Sequence, residues 1–91
     1  MLYVIAYDVP DDRRRGRIAD TLKDYGRRVQ YSVFEALLEP DLLRELHRRL
    51  VALVDAGEDS VRIYALCADC ARRIEWIGLG DQTQEPDVLV I

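Results

Sequence analysis

The sequence predicts an α+β sandwich in which two helices lie on one face of a single sheet. Three observations lead there. Apolar, β-branched and aromatic runs recur at residues 2–9, 28–38 and 60–67. Amphipathic stretches separate them, one from Pro10 to about Tyr25 and one opening at Pro40. The chain has 91 residues, which allows one core and no second. Strands connected through helices return by right-handed crossovers, which places both helices on the same side. A ferredoxin-like βαββαβ arrangement satisfies all of this.

The first strand, "LYVIAYDV" at 2–9, is apolar on both faces and should be covered on both. Pro10 and Asp11 then signal a helix start with an acid as N-cap. Its stripe is Ile18, Leu22 and Tyr25, and Gly26 stands where a left-handed C-cap is expected. "RVQYSVFEALL" at 28–38 alternates Val29, Tyr31 and Val33 on one face with Ser32, Phe34, Ala36 and Leu38 on the other. Pro40 opens the second helix, with Leu43, Leu46, Leu50 and Val54 at core spacing and Gly57 as its end. His47 falls at the edge of that stripe as a half-buried helix residue. "SVRIYALC" is a third strand and "RRIEWIGL", 72–79, a fourth. The order is βαββαβ if the middle segment is long or bent, and βαβαββ if it is not.

Helices on one face leave the other bare. Phe34, Ala36 and Leu38 are expected on that bare face, and an exposed apolar sheet marks an interface. Residues 1–78 form the domain, and 79–91 a tail ending in a strand, 88–91, expected to pair with a partner subunit. A two-fold homodimer with packed sheets is the economical arrangement.

Composition narrows the function. A net charge of −4 argues against a general nucleic-acid coat. Yet Arg13, Arg14, Arg15, Arg17, Lys23, Arg27 and Arg28 crowd into residues 13–28, so a local phosphate site is compatible with it. No apolar run is long enough to span a bilayer, and "MLYVIAYD" lacks the basic start of a signal peptide. The expectation is a cytoplasmic protein. Cys67 and Cys70 form one CxxC, half of a tetrahedral zinc shell, and are read as two reduced thiols.

The arginines of the first helix occupy its positive pole, where cations cost about 0.3–1 kcal/mol each. Asp11 and Asp12 offset part of this, so a solvated, salt-bridged helix start is the plain alternative. At about 100° per residue, Arg14 and Arg15 flank the Ile18–Leu22 stripe and lean towards the sheet, whereas Arg13 and Arg17 point away. An anion there would meet guanidinium forks and helix N–H groups, and phosphate is the natural occupant. Asp8, where the first strand stops, is either a turn residue or a hard oxygen ligand. Magnesium takes one or two carboxylates, so a dimer supplying two copies of Asp8 would make the site adequate. Ser32 has no local base, and no Gly-rich nucleotide loop is present.

The stretches "YDVPDDRRRGRI", "YGRRVQYSVFEALL" and "RIYALC" resemble the family of small CRISPR-associated endonucleases called CRISPR-associated protein two. The resemblance covers about the first seventy residues in order. It implies a ferredoxin-like fold and a homodimer with facing sheets. It also implies magnesium-dependent cleavage of RNA or DNA using Asp8. The site residues it implies are Tyr7, Arg15, Arg17, Arg28, Ser32 and Phe34. For Phe34, the residue pattern itself points to packing at a core or interface. Members also act with the CRISPR integrase, protein one, in new spacer acquisition. There the dimer bridges integrase subunits and grips duplex DNA, and its carboxylate need not act. Endonuclease and non-catalytic adaptor are therefore the competing expectations.

Overall fold

The structure, a computed structural model, describes residues 1–83. Its elements run β1 (Leu2–Asp8), α1 (Asp12–Lys23), β2 (Arg27–Gln30), β3 (Val33–Leu37), α2 (Pro40–Leu53), β4 (Ser60–Leu66) and α3 (Ala68–Arg72). The strands form one antiparallel sheet in the order β2-β3-β1-β4, the ferredoxin-like topology. The middle segment is thus a hairpin, not one strand. Tyr31 and Ser32 form its turn, and a register shift between Arg28 and Gln30 leaves Val29 as a bulge.

Local chemistry accounts for the helix starts. The Asp11 carboxylate accepts from the Arg14 backbone N–H at 2.8 Å and N-caps α1. Pro40 occupies the first turn of α2, where its missing N–H costs nothing. That helix ends at Leu53, before Gly57, which instead lies in a turn organised by Asp55 and Asp59. His47 is exposed, where its position beside the stripe suggested half-burial.

The core lies between the helices and one face of the sheet. Ile5 pairs with Phe34 on one side and Ile63 on the other, and Tyr3, Tyr7, Ala36 and Leu38 share its cluster. Ile18, Ala19 and Leu22 of α1 and Leu46 and Leu50 of α2 close over them. Phe34, Ala36 and Leu38 are therefore on the helix side, opposite to the expectation. With both faces of β1 apolar, alternation alone could not say which face the helices would take. Neighbours across the ladders then assign Val4, Ala6, Val33 and Leu37 to the other face, where they are half-buried.

Two further expectations are corrected. Residues 72–79 are not a strand: α3 occupies 68–72, and the backbone takes positive φ at Gly78 (89°) and Gly80 (152°), which interrupts extended chain. Gly26 is no left-handed cap, since its φ is not positive. Its lack of a side chain serves a close approach instead. A Cβ there would lie 2.2 Å from the Glu35 carbonyl oxygen and 2.7 Å from the Ala36 Cβ.

Beyond α3 the chain folds back over the face away from the helices. Arg27 pairs with Asp81 at 2.7 Å and donates to the Thr83 hydroxyl at 2.9 Å, and Thr83 in turn donates to Glu35. Residues 81–83 thus lie against the sheet. The strand expected at 88–91 and its pairing with a partner fall outside the described residues. Among the described residues, no helix is long and apolar enough to cross a membrane.

Candidate nucleic-acid site

At the end of the sheet where β1 stops and the β2–β3 hairpin turns, Tyr7, Asp12, Arg15, Arg28 and Tyr31 surround a cavity of about 250 Å³. Gly16 and Ala19 of α1 form its small-residue wall. The bulge at Val29 sets Arg28 opposite Phe34, so the Arg28 side chain lies on the helix side. Its neighbour Arg27, opposite Glu35, goes to the other face and holds the C-terminal segment.

Arg28 is held by apolar rings and a phenol. Its guanidinium lies 5.4 Å from the Phe34 ring centroid and 5.9 Å from that of Tyr31, and it donates to the Tyr7 hydroxyl at 3.3 Å. The Tyr7 hydroxyl donates onward to the Tyr31 carbonyl at 3.3 Å. Among the described residues no carboxylate pairs with Arg28, so its charge is oriented but not neutralised. Arg15 is braced differently. It donates to the Val9 carbonyl at 2.9 Å and pairs with Asp12 across one helical turn. Asp12 foremost, with the Tyr31 phenol adding to it against the opposing effect of burial, raises the Arg15 pKa above its ordinary value.

The remaining expected residues are placed elsewhere. Arg14 leans towards the sheet as its helical angle suggested, but it meets Asp59 in a two-pronged ion pair, 2.5 Å from Nε and 2.9 Å from Nη2. That hydrogen bond is the main reason the Asp59 carboxyl is held below the usual carboxylate range. Arg14 therefore ties α1 to the α2–β4 turn and is not one of the cavity residues. Arg13 and Arg17 are exposed. Ser32 contributes its backbone carbonyl, which accepts from the Tyr7 N–H at 3.1 Å. Phe34 is fully buried, so it supports Arg28 and Tyr7 from beneath without meeting solvent.

Asp8 is exposed at the end of β1, opposite Ser60. It alternates with Tyr7 and so belongs to the sheet face away from the helices, not to the arginine cavity. Among the described residues no cluster of three or more His, Cys, Asp or Glu could hold a metal. Asp8 by itself would give a divalent cation one carboxylate ligand, and a second copy of the chain would give another. Cys67 and Cys70 are exposed free thiols; the Cys67 sulfur caps α3 by accepting from the Cys70 N–H at 3.4 Å. That hydrogen bond leads in lowering the Cys67 pKa, and the thiol contact raises that of Cys70.

Sequence reasoning missed Tyr31, Gly16 and Asp59. The first stood in an apparent strand, where an aromatic residue needs no explanation. Gly16, a glycine inside a helix, was a visible signal. Asp59 gave none, because its partner is forty-five residues away.

Fold and cavity together define a small ferredoxin-like protein with a cationic pocket at one end of its sheet. The chain belongs to the family described as CRISPR associated protein Cas2, whose profile matches residues 1–74. It is 44% identical over 90 residues to a CRISPR-associated endoribonuclease Cas2 of Synechocystis, covering 99% of this chain and 98% of that one. It is 46% identical to a CRISPR-associated endonuclease Cas2 of Thermus thermophilus over 99% of this chain and 96% of the other. A crystal structure of a Thermus thermophilus protein superposes with a TM-score of 0.80 at 48% identity, covering 88% of this chain and 93% of that one. A chain of a partial Cas6-RT-Cas1–Cas2 complex gives 0.72 at 30% identity, with coverages of 84% and 89%.

Proposed function

We propose that this chain is an endonuclease of the CRISPR adaptation system, hydrolysing phosphodiester bonds of RNA or DNA as a magnesium-dependent homodimer in the cytoplasm. The observation that carries the reading is Arg28, a cation fixed over two aromatic rings with no acid partner among the described residues. Such a guanidinium is set to take a phosphate without first breaking an ion pair. Arg15 beside it would hold a second phosphate oxygen. Arg17, exposed two residues further along α1 and pointing away from the cavity, would meet the nucleic-acid strand outside it. Tyr7 fixes the direction of the Arg28 fork. Relatives named endoribonuclease and endonuclease support the activity.

Asp8 from each of two copies would hold magnesium, which when bound lowers the pKa of water and neutralises charge on a phosphoryl group. The sheet face away from the helices carries half-buried Val4, Ala6, Val33 and Leu37 beside the C-terminal segment, with Asp8 at its end, which suits apposition with a second copy.

One observation favours a second reading. Asp8 and the arginine cavity belong to opposite sides of the sheet, so the cavity could grip a backbone with no carboxylate near the bond. The chain would then be an adaptor holding duplex DNA beside the integrase. Similarity to a chain of a Cas1–Cas2 assembly supports that partner.

Labelled RNA and duplex DNA incubated with magnesium or with EDTA, alongside Asp8→Ala protein, separate the two. The nuclease reading expects magnesium-dependent cutting that Asp8→Ala reduces by about two orders of magnitude or more, with binding retained. Cutting that survives the substitution removes the proposed site. Binding without cutting by either protein gives the function to the adaptor.

A further inference from the structure

Gly16 poses a question that the folding of this chain does not answer. It lies inside α1, where glycine is among the least favourable residues. A Cβ at that position would meet no atom within 4 Å, so no neighbour in this structure requires the glycine. Gly16 does line the cavity beside Arg15 and Arg28. A glycine without an internal reason on a cavity wall is explained by something that approaches the helix backbone from outside. On the opposite rim Tyr31 is 70% exposed, more than any other aromatic ring among the described residues. The Arg28 guanidinium beside its ring fixes a cation next to a stacking surface.

We infer that this cavity is a slot for one unpaired nucleotide: Tyr31 stacks on the base, Arg28 and Arg15 hold its phosphate, and Gly16 lets the sugar–phosphate close on α1. This deepens the phosphodiester reading and rests on its assignment of phosphate to the two arginines. A base within a duplex is stacked on both sides and cannot present its face to the tyrosine. A nucleotide in a single strand, loop or frayed end can. The slot thus discriminates by strandedness and reads no base edge, and the sequence pattern gave no hint of such a platform.

The test is binding, in EDTA so that nothing is cut, measured by fluorescence anisotropy. The probes are a labelled twelve-nucleotide RNA, the DNA of the same sequence, and each as a duplex. Tyr31→Ala is expected to weaken binding of at least one single strand about tenfold or more, with duplex binding changed less than about twofold. Tyr31→Phe keeps the ring and should restore the single strand to within about twofold. Gly16→Ala should raise the thermal midpoint and yet weaken the single strand. Equal losses on single strand and duplex would assign Tyr31 to bracing Arg28 and overturn the slot, as would unchanged binding by Tyr31→Ala. A Gly16→Ala protein that binds the single strand normally would overturn it too. The measurement needs no cleavage, so failure of the nuclease reading leaves the slot standing, and failure of the slot leaves Asp8 untouched.

Discussion

Replacing Phe34 by alanine separates a catalytic role from a packing one, and the structure sets the size of the effect. The ring is fully buried against Ile5 of β1 and tilted onto Tyr7, with centroids 6.3 Å apart. Phe→Ala at such a site costs about 3–5 kcal/mol from lost transfer energy and residual cavity. The Arg28 guanidinium over the ring adds about 0.5–1 kcal/mol. Small domains are stable by about 5–15 kcal/mol in total, so the variant should lose a third or more of its stability. At about 4–8 °C per kcal/mol, the thermal midpoint should drop by tens of degrees. Phe34→Leu retains most of the volume and should lose less than about 1.5 kcal/mol. The assay is urea unfolding followed by circular dichroism, with cleavage measured on the same preparations at low temperature. Cleavage should follow the folded fraction, and Phe34→Leu should cleave within a few-fold of the parent. A Phe34→Ala protein that unfolds at the parental urea midpoint would refute the packing role. A Phe34→Leu protein that folds normally but no longer cleaves would do the same and return Phe34 to the chemistry.

Gly26→Ala should destabilise by about 1–3 kcal/mol, because the new Cβ would sit 2.2 Å from the Glu35 carbonyl oxygen and β2 and β3 would have to part. Many Gly→Ala changes gain about 0.4–1 kcal/mol, so an unchanged or raised urea midpoint would dispose of the close-approach argument. Asp59 has its folded pKa below the unfolded value of about 3.9, chiefly through the Arg14 hydrogen bond. Its contribution to stability is therefore complete above about pH 4 and is lost as pH falls through the folded pKa. Asp59→Asn should melt lower than the parent at pH 7 and show a flatter dependence of midpoint on pH between about 4 and 2. Parallel melting curves for the two proteins across that window would count against the ion pair.

Much of this molecule is legible in one dimension because its signals are local. Apolar, β-branched and aromatic runs marked β1 and β4, the acid after Pro10 marked the start of α1, and the Leu46–Leu50 spacing marked the buried stripe of α2. The angular position of Arg15 on its helix was read correctly for the same reason, since a helix repeats by a constant rotation. Residues 72–79 went astray because a segment with three aliphatic residues and a tryptophan fits a strand until the backbone at Gly78 and Gly80 is known. The bulge at Val29 was also hidden. A single extra residue leaves composition unchanged, yet it decides that Arg28 and not Arg27 takes the helix side, opposite Phe34.

The sequence by itself determined the fold class, the starts of the main helices, the concentration of positive charge in residues 13–28 and the likeness to a known family. These follow from periodicity, capping and short motifs, which act over a few residues. Tertiary structure decided which arginine does what. Arg14 pairs with Asp59, Arg28 lies over Phe34 and Tyr31, and Arg27 holds Asp81 and Thr83. It also set Asp8 on the other face from the cavity. The physical reason is that an arginine's role depends on its partner, and partners brought together by strand register and layer packing can lie anywhere along the chain.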